Sequence, residues 1–104
     1  VIEAAPVIEN SAPEYVEDTV FNQIILLGRS IRPVIPEFID ADGDTLSYAI
    51  AGTGELPDGV EIDEETGIVS GLPTEEANVR NLRIEATDPS GETAVSDAFY
   101  IWVR

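Results

Sequence analysis

Short apolar runs alternate with clusters of turn-forming residues about every ten positions along the chain. Within three of the runs the side chains alternate strictly. Leu46, Tyr48 and Ile50 fall on one face with Ser47 and Ala49 opposite, and Leu82, Ile84 and Ala86 oppose Arg83, Glu85 and Thr87. Near the end, Phe99, Ile101 and Val103 alternate with Tyr100, Trp102 and Arg104. A period of two puts one face of a strand on a core and the other toward solvent. The full set of predicted strands is Phe21–Leu27, Ser30–Ile35, Leu46–Ala51, Val60–Ile62, Ile68–Leu72, Asn81–Thr87 and Thr93–Val103. Between them lie explicit turn signals: Asp42-Gly43, Pro57-Asp58-Gly59, Thr66-Gly67 and Asp88-Pro89-Ser90-Gly91. No segment carries a helical period, so the expected fold is an all-β sandwich of about seven strands.

Seven short strands in about a hundred residues is the count of an immunoglobulin-like Greek-key sandwich. The chain has 104 residues, the size of one domain, and its 43 % hydrophobic content suffices for one packed core. Residues 1–13, with two Val-Ile pairs, two prolines and three alanines, predict an extended linker ahead of a domain spanning 14–104. Two Gly-bearing turns are expected to be structural: the Leu56-Pro57-Asp58-Gly59 turn, and Val69-Ser70-Gly71-Leu72, where the glycine lets a neighbouring backbone approach.

Charge narrows the partners. Asp and Glu total 21 against five Arg and no Lys, for a formal net charge of −16. Nucleic acids and anionic membrane surfaces are held by Lys and Arg, so neither is an expected partner. A divalent cation is the simplest partner that relieves so much mutual repulsion. Cys and His are absent along with Lys, which removes the common general bases, covalent nucleophiles and thiolate ligands. The chain is therefore expected not to be an enzyme. The longest aliphatic run, Ile24 to Leu27, is too short to span a bilayer, and no leader pattern opens the chain, which suggests one module of a longer protein.

The sharpest local motif is Asp40-Ala41-Asp42-Gly43-Asp44, three carboxylates at alternate positions on a turning loop. Ca²⁺ takes six to eight oxygen ligands, and such a loop can converge on one ion. It is not an EF-hand: Thr45 stands where that loop needs glycine, Ala51 replaces its terminal Glu, and a strand follows instead of a helix. A solvated acidic turn is the other reading, because Asp and Gly favour turns without any metal. Strand alternation favours the ion. With the predicted strands running up and down, Asn10, Asp40–Asp44 and Asp88 gather at one end, and Glu75 and Glu76 at the other.

In order along the chain, Asn10-Ser11-Ala12-Pro13, Asp40-Ala41-Asp42-Gly43-Asp44-Thr45-Leu46-Ser47-Tyr48 and Leu56-Pro57-Asp58-Gly59-Val60-Glu61-Ile62-Asp63 resemble the dystroglycan-type cadherin-like domain. So do Thr66-Gly67-Ile68-Val69-Ser70-Gly71-Leu72-Pro73-Thr74 and Ala86-Thr87-Asp88-Pro89-Ser90-Gly91. The resemblance implies an extracellular or cell-surface module in a tandem array, with Ca²⁺ at the junctions between neighbouring repeats. It implies that Asp40 and Asp42 are the acidic pair of the second-to-third strand loop, Asp88 the acid closing the sixth strand, and Asn10 the end of the junction linker. Glu75 or Glu76, after Leu72-Pro73-Thr74, would serve the opposite junction. Adhesion or carbohydrate association are the implied roles.

Two further surfaces follow from the pattern. Tyr100 and Trp102 share the outward face of the last strand and offer rings on which a polysaccharide could stack; the competing expectation is that Trp102 simply covers the sandwich edge. Homophilic pairing through exposed edge strands is the other, opposed by net charge unless calcium screens it.

Overall fold

The computed structural model describes residues 11–104, and among them the chain is all β. Among the described residues nine strands form: β1 (Glu14–Tyr15), β2 (Gln23–Ile25), β3 (Phe38–Ile39), β4 (Ser47–Gly52), β5 (Val60–Ile62), β6 (Val69–Gly71), β7 (Ala77–Thr87), β8 (Thr93–Val95) and β9 (Phe99–Val103). One layer is a sheet in the order β2-β9-β7-β4, with β8 also paired to β7. The other layer holds the β1–β3 pair and the β5–β6 hairpin. The two layers make a sandwich. Its core takes Ile31, Val34, Val60 and Val69 from one side and Leu82, Ile84, Phe99, Ile101 and Val103 from the other.

The alternating segments behave as their period demands. Leu82, Ile84 and Ala86 on β7 are fully buried, as are Phe99, Ile101 and Val103 on β9, while Tyr100 and Trp102 face outward and stay half-buried. Other expectations need correction. The chain is not a simple up-and-down series, because β2 pairs in parallel with β9, Ile24 opposite Trp102.

The predicted strand at Ser30–Ile35 does not form as a strand. Pro33 lacks the N–H a ladder needs. What remains is a single bridge from Val34 to Val69 and a hydrogen bond from Ile31 N to the Gly71 carbonyl. On the opposite side the Gln23 carboxamide substitutes for a strand, accepting from Arg32 N (2.8 Å) and donating to Arg32 O (2.9 Å).

The predicted strand Thr93–Val103 is two strands. Ser96 is buried between them, and its Oγ accepts from Ile84 N (2.9 Å) while donating to the Asp97 carbonyl (2.9 Å). A side chain thus occupies a place in the ladder where a backbone carbonyl would sit. Conversely, Asn81–Thr87 is the second half of a longer strand, β7, interrupted by a bulge between Val79 and Leu82. Asn81 absorbs the bulge at φ 56°, a left-handed conformation Asn tolerates, and donates its side-chain amide to Thr53 Oγ1 at 2.7 Å.

Candidate cation site at the acidic pole

The β3–β4 loop is built by its own aspartates. Asp40 Oδ1 accepts from Asp42 N at 2.8 Å, an Asx turn, and Gly43 N closes back on the Asp40 carbonyl at 3.0 Å. Gly43 sits at φ 69°, which glycine adopts without strain. The loop therefore turns back on itself and aims alternate side chains the same way. One carboxylate oxygen from each of Asp40, Asp42 and Asp44 lies within 4.8 Å of the others.

Asp88 arrives at the same pole from β7. Ser47 and Thr87 are register partners, so the residue after Thr87 stands beside the start of β4. Asp88 is 4 % exposed, and its Oδ1 accepts from Ser90 N and Glu92 N, each at 2.9 Å. That geometry closes the turn that the Asp88-Pro89-Ser90-Gly91 signal predicted, and it extends the closure to Glu92. Asp88 is close enough to act on Asp44 electrostatically, yet it stands outside the three-carboxylate group.

The chain's entry to the domain is tied to this loop. Ser11 N donates to Asp42 Oδ2 at 2.6 Å. Asn10, the expected linker ligand, lies outside the described residues, as do residues 1–9 of the expected linker. Glu75 and Glu76 are exposed at the opposite end of the sheet, lining an open groove with Glu55 and Asp58. The structure thus brings Asp40, Asp42 and Asp44 together, places Asp88 beside them, and keeps Glu75 and Glu76 apart.

Within the cluster, Asp44 feels its neighbours. The Asp44 carboxyl is held above its ordinary value of 3.8, first by partial desolvation and then by the negative charges of Asp40, Asp42 and Asp88. A carboxyl with a raised folded-state pKa binds its proton more tightly when folded, so its ionisation removes stability as pH rises. The window runs from about 3.8 in the unfolded chain up through the raised folded value. In EDTA, the wild-type thermal midpoint should therefore fall across that window relative to Asp44→Asn, which lacks the titration. Parallel midpoint-versus-pH curves for the two proteins would mean the repulsion is not felt.

A cation site must also fit chemically. The donors are all hard oxygens, as Ca²⁺ requires, and Asp40 Oδ2 is buried with no hydrogen-bond partner. A buried carboxylate oxygen without a donor is costly unless something positive meets it. The residues fit the ion.

Comparison with known proteins points to the same architecture. The profile of a family described as "Putative Ig domain" matches residues 6–104. No curated protein matches the sequence. Among solved structures, Drosophila N-cadherin EC1-3 is similar at TM-score 0.67 and 15 % identity, over 91 % of this chain and 34 % of that one. Human protocadherin-24 EC1-2 is similar at TM-score 0.60 and 18 % identity, over 92 % and 44 %. A putative α-galactosidase from Bacteroides fragilis is similar at TM-score 0.61 and 16 % identity, over 96 % and 19 %. The chain thus spans less than half of each of these proteins. At such identities the likeness is one of fold, an Ig/cadherin-like sandwich.

Proposed function

The chain belongs to the putative Ig domain family, and from that premise we propose that it is a non-enzymatic, extracellular adhesion or spacer module of the dystroglycan-type cadherin-like kind, stiffened by Ca²⁺ at its acidic pole. The observations that support the reading are the approach of one carboxylate oxygen each from Asp40, Asp42 and Asp44, the buried, partnerless Asp40 Oδ2, and the bond from Ser11 N to Asp42. These three aspartates would hold the ion, with Asp88 adding negative charge from the side. The ion supplies positive charge and coordination, and no bond is made or broken. Because Asp42 holds both the loop and the entering backbone, filling the site would fix the angle at which the domain leaves its predecessor. Neighbouring repeats of the same chain are the natural partners of such a joint.

Magnitude sets the expectation. Extracellular calcium modules bind at about 10⁻⁴ to 10⁻³ M. At about tenfold excess over such a constant, binding adds on the order of 1.4 kcal/mol to folding. For a domain of this size that is roughly 5–10 °C in thermal midpoint. Unfolding in EDTA and in millimolar Ca²⁺ should show this shift, and Asp40→Ala with Asp42→Ala should abolish it. Superimposed wild-type curves would reduce the loop to a solvated turn and leave the domain a plain spacer.

A further inference from the structure

The outward face of β9 pairs two aromatic rings with two guanidinium groups. Trp102 and Tyr100 point out from it, each half-buried. The Arg104 guanidinium lies over the Trp102 ring, 5.0 Å from its centre, and the Arg80 guanidinium over the Tyr100 ring at 5.4 Å. In a chain with 21 carboxylates and five arginines, neither of these arginines forms an ion pair among the described residues. Each is held by a ring instead. Two exposed amides flank them: Asn78, the register partner of Trp102, and Asn22, whose Oδ1 accepts from Tyr100 N at 2.8 Å. Ile24, half exposed, completes the row beside Trp102.

From this we infer that the β9 face is a receptor for an acidic saccharide, one that presents uronate carboxylates to Arg80 and Arg104. A guanidinium fork matches a carboxylate with two parallel hydrogen bonds, and stacking on a ring orients the fork before any ligand arrives. The rings that hold the arginines are two residues apart on one strand, about 7 Å. The pair therefore offers two oriented anion sites side by side rather than one. The flanking amides supply neutral donors and acceptors of the kind sugar hydroxyls use.

Three other occupants fit less well. A neutral sugar stacking on bare rings would have to compete with the guanidinium over each. An acidic peptide gains most of its affinity by adding a strand to a free sheet edge, but β9 lies between β2 and β7 and has no free edge. A second copy would bring another −16 of charge with it. The molecule's own acidic pole does not shield the face: β7 runs from beside Trp102 to Asp88, about 30 Å, several screening lengths at physiological salt. Carboxylates do border the arginines: Arg80 lines the open groove that holds Glu55, Asp58, Glu75 and Glu76, and Glu76 also borders Trp102 and Arg104, with no ion pair formed among the described residues.

The test is a titration of the chain with an oligogalacturonate, followed by amide resonances and by calorimetry. EDTA is present throughout, so calcium cannot bridge the uronate to Asp40–Asp44, and failure here says nothing about the cation site. Resonances of Tyr100 and Trp102 should move. The methyl ester of the same oligosaccharide should bind at least about tenfold more weakly. Arg80→Gln with Arg104→Gln should also lose about tenfold or more, while Arg32→Gln, whose guanidinium lies over Phe21, should bind as the wild type does. Four results would overturn the proposal: no shift at about 10 mM oligosaccharide, equal binding of the methyl ester, equal binding of oligoglutamate, or a paired-arginine variant that changes only self-association in sedimentation.

Discussion

Gly71→Ala should destabilise the domain by about 3–5 kcal/mol, a third or more of the stability a domain of this size usually has. Gly71 sits at φ 141°, a conformation that residues with a Cβ scarcely populate. A Cβ there would collide with the Gly59 carbonyl oxygen and stand 2.9 Å from Val60 Cα. Both obstacles are backbone at the entry to β5, Gly59 just before it and Val60 its first residue, and neither can swing aside. Relief would require opening the β5–β6 pair, whose register sets Val60 against Gly71 and Ile62 against Val69. Val69 is fully buried and holds the Val34 bridge, so the loss would spread to the irregular segment that replaces a strand. Ser70→Ala, at the exposed neighbouring position, should stay within about 0.5 kcal/mol. Urea unfolding measures both. A cost below about 1 kcal/mol for Gly71→Ala would mean the two backbones can part without loss.

The same contact explains what was legible in the sequence. Val69-Ser70-Gly71-Leu72 announces close packing because glycine inside a strand pattern has few other uses. Strands whose period-two pattern coincides with burial were equally plain, as on β7 and β9. The failures share one cause: side chains standing in for backbone. Gln23 completes the ladder beside Arg32, and Ser96 does so for Ile84, so strand propensity alone misplaced the limits of order. Nothing local in Gln23 or Ser96 announces a partner nine or twelve residues away. Ile31 and Val34 are both buried although three apart, which a strand with one solvent face does not produce.

The acidic pole was legible for a different reason. Alternate aspartates around a glycine dictate their own turn, so Asp40, Asp42 and Asp44 meet whatever the rest of the fold does. Asp88 and the Ser11 contact depend on long-range topology. Even an incorrect up-and-down count placed Asp88 correctly, because adjacent antiparallel strands such as β4 and β7 bring the start of one beside the end of the other. The paired arginines over Tyr100 and Trp102 were not foreseen. Arg104 is two residues from its ring, a visible spacing, but Arg80 reaches Tyr100 only through the bulged pairing of β7 with β9.

Asp88→Ala should cost about 2–4 kcal/mol in EDTA, with no calcium present at all. Its Oδ1 accepts two backbone N–H bonds, from Ser90 and Glu92, and bonds to a charged acceptor contribute about 1.5–3 kcal/mol each, part of which water recovers at this rim. Truncation removes both acceptances at once and loosens the turn that Asp88 N and O otherwise close with Glu92 O and Gly91 N. Asp88→Asn keeps an oxygen in the Oδ1 position and should retain most of the stability. It also removes one of the charges that raise the Asp44 pKa, which partly offsets the weaker acceptor. Asp40→Ala should behave oppositely in EDTA, staying within about 1 kcal/mol, because it trades one Asx bond for relief of repulsion. Chemical denaturation of the three variants, with and without Ca²⁺, separates the two roles. If Asp88→Ala weakens the protein only when calcium is present, Asp88 acts first as an ion ligand and the turn stands without it. A loss already complete in EDTA makes Asp88 the keystone of the pole, the residue that holds the β7 end in place so that the aspartate loop can present its oxygens.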